Sequence, residues 1–424
     1  MNRCVGAIGM ILLVLLTAPD TLEAQDGSDS CVSCHEMLTG PLGEPVGAFA
    51  ADVHAEAGFG CAACHGGDPT VQGPGAMDEA KGYIGRPSPE QVPDVCGRCH
   101  SNAEFMRQYN PALRVDQVAE YVTSVHGQRL LGASDPAVAT CASCHGAHGI
   151  RPASDPRSTV HPLKVADTCE GCHSDPEHME PYGLPTDQGE EYRRSIHWET
   201  MTEGGDTSAP TCNDCHGNHG AAPPGVSWVG NVCGQCHVVM ADYFAESRHS
   251  ETFTAMGVPG CALCHQNHEI RPPSDTMLGI EEGAICRSCH SPEDTGGQAA
   301  ASMRGTIDSL GGEIDSATVV LERAENSGVE VGAALASLND ARSALIKARA
   351  AVHAFDPDVV AEAAEPGEEI AAEALVRGGE ALDELQFRRI GLVVSVLIIG
   401  ALIVGLILKI KEIEQPAAAG GRQA

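Results

Sequence analysis

Aromatic side chains are scarce in this sequence, which has seven Phe, six Tyr and two Trp among 424 residues. That is little apolar ring surface for the core of a chain this long. Basic charge is scarce too, because 26 Lys and Arg stand against 58 Asp and Glu, for a formal net charge of −32. Such a field disfavours nucleic-acid partners and repels anions at long range. Something other than aromatic side chains must fill the fold.

No cysteine is spare for a disulfide framework. Of 19 Cys, 18 lie in nine C-x-x-C-H motifs, and the last, Cys4, precedes them all. C-x-x-C-H is the attachment signature of haem c, in which both thiols bond to the porphyrin and the His ligates the iron. Structural zinc fits less well, because a four-ligand set does not require a His after every Cys pair. The sequence therefore predicts nine covalent haem c groups, whose faces supply the missing apolar filling.

Each motif contributes two thioether cysteines and one proximal iron ligand. The predicted thioether residues are Cys31, Cys34, Cys61, Cys64, Cys96, Cys99, Cys141, Cys144, Cys169, Cys172, Cys212, Cys215, Cys233, Cys236, Cys261, Cys264, Cys286 and Cys289. The predicted proximal ligands are His35, His65, His100, His145, His173, His216, His237, His265 and His290.

Ten of the 19 histidines lie outside the motifs, and nine of these ten fall within the haem region. One spare histidine for each haem predicts bis-histidine ligation throughout. The tenth, His353, lies far downstream in a helical segment, where a surface or packing role is predicted. Met37, two residues after His35, is either an axial ligand or a packing residue. The predicted distal ligands are His54, His126, His148, His161, His178, His197, His219, His249 and His268.

Seven of these histidines belong to an internal repeat. An aromatic residue stands five before a His, with Ser or Asp two before it, in FAADVH, YVTSVH, YRRSIH and FAESRH. Three later haem motifs continue as CHGAH, CHGNH and CHQNH. The second His of these strings stands about one helical turn beyond the proximal ligand, on the same side of its own haem. It is therefore expected to ligate a neighbouring haem.

Both ends of the chain carry apolar segments. Residues 1–24 are predicted to be a cleaved secretory signal, with an uncleaved anchor as the alternative. Ile390–Leu408 is an uncharged run of 19 residues, long enough to cross a bilayer, although a buried soluble helix is the alternative. Because haem c is attached outside the cytoplasm, the haem region is predicted on the periplasmic side of the inner membrane. The predicted domains are 1–24, 25–296 (haem), 297–388 (helical), 389–410 (transmembrane) and 411–424 (cytoplasmic tail).

Residues 297–388 lack cysteine and show helical periodicity. Two or three helices are predicted, with breaks at Ser327-Gly328, Asp356-Pro357 and Pro366-Gly367. They are expected to form a hairpin or small bundle that continues into the membrane helix. Docking or homo-oligomerisation is the predicted role, and a plain spacer is the alternative.

The opening haem pair resembles a known family. CVSCHEM, FAADVH and GFGCAACHGGDP, within residues 31–69, are similar to the first haem pair of NapC/NirT-type membrane-anchored quinol dehydrogenases. That resemblance implies quinol oxidation at the first haem, with Met37 as a possible iron ligand. The anchor of that family is N-terminal, however, and it carries four or five haems. The other motifs look more generally like the multihaem cytochrome c superfamily.

These features predict a mainly α-helical, loop-rich chain wrapped around its haems, followed by a helical bundle and one membrane helix. The expected function is electron transfer between a quinone-linked membrane partner and exported redox proteins. The alternatives are an oxidoreductase acting on a small nitrogen or sulfur compound at one open haem, and a quinol dehydrogenase at the first haem. No C-x-x-C-K motif marks an open iron.

Overall fold

The computed structural model describes residues 29–223 and 232–414. The predicted signal segment and most of the predicted cytoplasmic tail lie outside these residues. Within them the secondary structure is helical, with no strand. The prediction of a mainly α-helical, loop-rich chain with one C-terminal membrane helix is therefore confirmed.

The helices differ greatly in length between the two parts of the chain. The haem region contains α1–α17, at Ser30–His35, Glu44–Phe49, Val53–Glu56, Ala62–His65, Val92–His100, Ala103–Met106, Gln117–Thr123, Val125–Gly127, Cys141–His145, Pro162–His173, Pro176–Met179, Gln188–Arg193, Ile196–Thr202, Cys212–His216, Val238–Glu246, Arg248–Met256 and Gly260–His265. The three helices that follow are α18 (Thr295–Glu325), α19 (Gly332–Ala351) and α20 (Pro357–Glu414).

Single helical turns complete the secondary structure. A π-helical turn follows α8 at Gln128–Gly132. The 3₁₀ turns are Gly40–Leu42, Pro74–Met77, Glu79–Lys81, Pro89–Gln91, Glu180–Tyr182, Asp275–Met277, Cys286–Ser288 and Val352–Ala354.

The described chain divides into two compact units. The first holds 29–190 and 197–223, with the first six haem motifs. The second holds 191–196 and 232–414, with the last three haem motifs and the long helices. The last three motifs therefore belong with the helical segment rather than with the other six.

The second unit contains a three-helix bundle, formed by α18, α19 and the first half of α20. Its core runs continuously along all three helices, and Leu310, Leu321, Leu338 and Val360 are fully buried. Alanines are part of the same core, and Ala317 is fully buried. Side-chain packing of this kind holds the bundle without a cofactor.

One predicted helix break is wrong. The breaks at Ser327-Gly328 and before Pro357 lie at helix ends, but α20 runs unbroken through Pro366. Proline removes one backbone hydrogen bond, which tertiary packing can offset. That packing comes from the next residue, because a Cβ on Gly367 would lie 2.8 Å from Cβ of Ala344. Gly367 thus lets α20 lie close against α19 at the proline.

The second half of α20 leaves the bundle and is apolar on every face. The most apolar 18-residue window of this 58-residue helix has a mean hydropathy of 3.0, and none of the window is buried. A soluble core helix would be buried, and a signal sequence would be near the N-terminus. The segment is therefore a single candidate membrane span within the described residues, continuous with the bundle.

Candidate haem-binding sites

The haem motifs lie at the ends of short helices. Seven helices end on a proximal histidine: α1, α4, α5, α9, α10, α14 and α17. One helical turn places the two thiols and the imidazole of a motif on one side of the backbone. This is the arrangement that thioether attachment and proximal ligation of one haem require.

A left-handed residue directly follows several proximal histidines. Gly146 and Gly217 have φ of 79° and 86°, and the eighth motif has Gln266 at φ 65° in the same place. The left-handed turn ends the helix and redirects the chain. The histidine two residues later, such as His148, consequently points away from the haem of its own motif.

Six pairs of histidine rings that face one another have a defined geometry. Three pairs have ring planes within 8–23° of parallel, and their centroids lie 6.0–6.1 Å apart: His65–His148, His145–His219 and His265–His353. The other three have planes 58–88° apart and centroids 6.0–6.1 Å apart: His54–His100, His126–His173 and His249–His290.

The distance between the paired rings fits an iron between them. An imidazole–metal bond of about 2 Å, with ~1.1 Å from nitrogen to ring centre, puts two axial rings roughly 6.2 Å apart. Parallel rings in face-to-face contact would be closer, and the rings of His249 and Phe355 lie at 3.9 Å. Tilted and edge-to-face rings can pack directly at about 6 Å, as Phe59 and Phe105 do at 6.1 Å, so the three near-parallel histidine pairs carry this argument. The six pairs therefore have the separation of axial ligands on opposite faces of a haem.

Hydrogen bonds at Nδ1 fix the orientation of several motif histidines. Nδ1 of His35, His65 and His216 lies 2.9, 2.7 and 3.3 Å from the backbone oxygens of Leu42, Gly85 and Ala222. Histidines that ligate a metal commonly donate the other ring N–H in this way, which leaves the Nε2 lone pair for the metal. The proximal rings are thus oriented for ligation through Nε2.

Asp52 holds the distal ring of the first repeat. Its side chain is 1% exposed, and one carboxylate oxygen lies 2.8 Å from Nδ1 of His54. The other oxygen accepts the backbone N–H of Ile150 at 2.7 Å. Burial alone would raise the pKa of Asp52, but these hydrogen bonds lower it below its usual value. Ionised Asp52 therefore makes the His54 imidazole a stronger ligand.

The later repeats have serine where the first has Asp52. The Ser124 hydroxyl donates to Tyr121 O at 2.6 Å and accepts from Gly127 N at 2.9 Å, so it caps the turn that carries His126. Ser247 makes the same two bonds before His249, with Phe244 O and Ser250 N. The Ser in the sequence repeat is thus a helix cap that orients the histidine after it.

Burial lowers the pKa of several of the paired histidines. It lowers the pKa of the proximal His145, His173 and His265. Burial also lowers the pKa of five histidines outside the motifs: His126, His148, His219, His249 and His353. Since only neutral imidazole binds a metal, these sites favour ligation over protonation.

Cysteines of successive motifs lie next to one another in an alternating pattern. The first cysteines meet in the thiol–thiol hydrogen bonds of Cys96 with Cys141, Cys169 with Cys212, and Cys233 with Cys261. Burial raises the pKa of Cys31 to about 11, with a smaller contribution from nearby Cys61. First cysteines therefore join motifs one to two, three to four, five to six and seven to eight.

Second cysteines connect these motif pairs. Burial raises the pKa of Cys64, and Cys99 adds to the effect. Burial likewise raises the pKa of Cys144, with a contribution from Cys172. In the second unit, Cys264 has a pKa raised to about 11 by burial and by its neighbours Cys286 and Cys289. The motifs of each unit thus form one unbroken series.

The described residues do not favour zinc. No group of three or more His, Cys, Asp or Glu is arranged to hold a metal ion in the part of the chain that the structure describes. A structural zinc site needs four such ligands together. Iron held between two rings, inside a porphyrin that supplies the other four ligands, needs only the pairs observed.

Three predicted ligands lie apart from the ring pairs in the described residues. His161 is 8% exposed, and its Nδ1 accepts the Leu163 N–H at 3.3 Å at the start of α10. The ring of His178 lies against Tyr182, with centroids 6.1 Å apart. Met37 is 74% exposed. The proximal ring of His35 faces no imidazole within the described residues.

His197 and His268 occupy the same backbone setting as their repeat mates. In three of the four aromatic-element copies, the residue before the histidine donates its N–H to the carbonyl two residues past a CHxxH histidine. These bonds are Val53 to Ile150, Val125 to Ala221 and Ile196 to Ile270. Nδ1 of His219 and of His268 lies 3.7 and 3.6 Å from Oε2 of Glu120 and Glu191. The third copy therefore repeats the local structure of the first two.

His353, for which a surface or packing role is predicted, lies beside a haem motif. The structure places its ring 6.1 Å from the ring of His265, at an interplanar angle of 23°. A surface or packing role was the natural expectation for a histidine 63 residues after the last motif histidine, His290. A signal was nevertheless present, because His265 is the proximal ligand of a CHxxH motif with no later CHxxH motif to serve it.

Comparison with known families agrees with this geometry. Two segments, residues 53–174 and 206–291, match the family model described as Cytochrome c3. These segments are cytochrome c3-like. They contain eight of the nine C-x-x-C-H motifs, and that family binds haem c covalently. The chain is thus a multihaem c-type electron-transfer protein with a candidate C-terminal membrane helix. No curated protein and no solved structure matches it.

Proposed function

We propose that the chain carries electrons along nine covalent haems on the exported side of the membrane. It would connect a quinone-linked membrane partner to exported redox proteins. The haems supply the one-electron chemistry, and this chain's residues hold, orient and insulate them. The alternating cysteine contacts carry the proposal, because a thiol bonded to a porphyrin marks the edge of that haem.

The cysteine contacts put neighbouring haem edges side by side. Within the first unit, Cys96 is hydrogen-bonded to Cys141 and Cys64 lies near Cys99, so haems attached at these cysteines would have a neighbour beside each of their two thioether positions. Such a series has no break within a unit. Electrons can therefore pass from haem to haem without leaving the chain.

Axial ligation supports transfer rather than catalysis. Five of the predicted distal ligands, His54, His126, His148, His219 and His249, face a proximal ring. The repeated backbone setting extends the role to His197 and His268. An iron with two imidazoles has no position open for a substrate. Most of the haems are thus built to change oxidation state only.

Two measurements on the purified protein test this function. Anaerobic titration with a low-potential reductant is expected to take up nine electrons per chain. Stopped-flow mixing with a reduced quinone-linked partner is expected to reduce all haems together, because transfer inside the series is fast. Uptake of far fewer electrons, or a large haem fraction that quinol plus partner never reduces, would contradict the proposal.

Sidedness needs its own test. The haem region is proposed to be periplasmic and the tail beyond α20 cytoplasmic, since haem c is attached outside the cytoplasm. Protease added to intact spheroplasts is expected to digest the haem region and to spare a tag fused after Ala424. Loss of the tag with the haem region intact would reverse the orientation.

A second candidate function is chemistry or quinol oxidation at the first haem. His35 is a proximal ligand whose Nδ1 is held by Leu42 O, yet no imidazole faces it within the described residues. Exposed Met37 is the nearest alternative ligand in sequence. The sixth position of this iron is therefore either open or held by a weaker ligand than histidine.

Carbon monoxide distinguishes the two functions. The reduced protein is expected to bind at most one CO per chain, and replacing Met37 with Leu should increase that binding if the thioether holds the iron. Reduction by quinol alone, lost in the Met37→Leu protein, would establish the second function. Binding of several CO molecules would contradict bis-histidine ligation along the series.

A further inference from the structure

We infer that His353, in the three-helix bundle, is the distal axial ligand of the haem attached at Cys261 and Cys264. The inference rests on the proposed function, because it requires that this haem be bound. His353 lies 62 residues beyond the end of the cytochrome c3-like segment at residue 291. It occupies the single 3₁₀ turn, Val352–Ala354, that joins α19 to α20.

The ring geometry of His353 matches one class of ligand pair and not the other. In His65–His148 and His145–His219, both formed with a CHxxH histidine, the planes are 13° and 8° apart. The planes of His265 and His353 are 23° apart, with centroids at 6.1 Å. The pairs formed with aromatic-element histidines are 58–88° apart. His353 therefore takes the place of a CHxxH histidine.

The order of the motifs explains why the bundle must supply this ligand. The second motif is paired with the CHxxH histidine of the fourth, and the fourth with that of the sixth. By the same pattern, the eighth motif, which ends at His265, would be paired with the histidine of a tenth motif. The sequence has only nine motifs. The repeat thus runs out one ligand short, at the haem that His353 faces.

The environment of His353 suits ligation. Its Nδ1 lies 2.9 Å from the backbone oxygen of Ala350, so Nε2 is the nitrogen left for iron. A packing residue would need neither a fixed tautomer nor a gap of one iron between the rings.

Neighbouring contacts hold the turn against the haem motifs. The Phe355 ring lies 3.9 Å from that of His249, and residue 355 has a left-handed φ of 54°. On the other side, Arg349 donates two hydrogen bonds to the Asp275 carboxylate, at 2.6 and 2.9 Å. The bundle is therefore joined to the haem series by ion pair, ring stacking and, on this inference, an iron–nitrogen bond.

The test uses the full-length, haem-loaded protein in detergent. The His353→Ala protein is expected to keep its full haem content while exactly one low-spin haem per chain becomes high-spin in the oxidised EPR spectrum. Added imidazole should restore the low-spin signal, and His353→Met should remain low-spin with a raised potential at one haem. His178→Ala is the matched control, expected to leave every signal unchanged.

Two results would overturn the inference, and they differ from failure of the proposed function. Full haem content with no new high-spin signal in His353→Ala would show that His353 is not a ligand. A high-spin signal that imidazole does not convert, together with an identical spectrum in His353→Met, would assign the change to unfolding. Absence of covalent haem in the unmodified protein would instead remove the proposed function itself.

Discussion

The haem region and the three-helix bundle solve the same problem of burial by different means. Helices of the haem region have 3 to 12 residues, whereas those of the bundle have 31, 20 and 58. Short helices bury little apolar surface and are marginal alone. The bundle buries a continuous row of Leu, Ile and Ala along three helices. The difference indicates that haem faces are the core of one region and side chains the core of the other.

The two regions meet at the turn Val352–Ala354 and at Asp275, to which Arg349 of the bundle donates two hydrogen bonds. His353 faces a haem ligand, and Phe355 stacks on His249 next to it. The three-helix bundle, which folds by side-chain packing, therefore follows directly on the last haem motifs, which fold around cofactors. The candidate membrane helix is continuous with the bundle.

Removing haem is expected to have the largest effect, because it should unfold one region and leave the other folded. A chain produced without the haem-attachment machinery is expected to lose the fold of 29–290 while the bundle stays helical, because the haem region has only small apolar clusters such as that of Tyr121, Leu130 and Val138. Limited proteolysis followed by mass spectrometry would show rapid cleavage between the motifs and protection of 297–388. Equal protection of both regions would mean that the haem region has a core that does not depend on haem.

A substitution in the core of the bundle is expected to destabilise the bundle alone. Leu310→Ala, at a fully buried site, is expected to cost about 2–5 kcal/mol of bundle stability through lost contacts and a cavity. Thermal unfolding followed by circular dichroism should show the loss, with the haem absorption of the folded protein unchanged. Val319→Ala, at a position that is 65% exposed, should change stability by less than about 0.5 kcal/mol. Equal effects of the two substitutions would contradict the assigned core.

A single ligand exchange sharpens the comparison within the haem region. His126→Met is expected to leave the haem of His173 low-spin and to raise its potential, because a thioether favours ferrous iron. Spectroelectrochemical titration should move one haem and leave the others in place. A shift spread over many haems would show that His126 acts through the fold and not on one iron.

The smallest expected effect comes from the hydrogen-bond partner of a ligand. Asp52→Asn removes the charge beside His54 and should raise the potential of the third haem by tens of millivolts, since the carboxylate favours ferric iron. Asp68→Asn is the matched control, because Asp68 pairs with Lys81 instead of a ligand. An unchanged third-haem potential in Asp52→Asn would rule out this tuning.

Much of this architecture follows from sequence because its elements are local. The C-x-x-C-H turns, the Ser cap before His126 and the apolar run after Arg389 each need only neighbouring residues. The continuation of α20 past Pro366 was not predictable, since it depends on the close packing of Gly367 against Ala344 of another helix.

The distal ligands show the same limit. Repetition points to His54 and His126, but a count of spare histidines also brings in His161 and His178, which face no proximal ring in the described residues. His353 was passed over for the opposite reason, because its partner lies 88 residues earlier, at His265. Which histidine crosses to which iron is decided by tertiary packing.

Oxidised EPR with parallel haem quantitation on the purified full-length protein tests the central claim most directly. The account predicts nine haems per chain. Eight should be low-spin, divided between near-parallel and near-perpendicular imidazole pairs, and the haem at His35 should give a distinct signal. Fewer haems, a single class of low-spin signal, or several high-spin irons would contradict it.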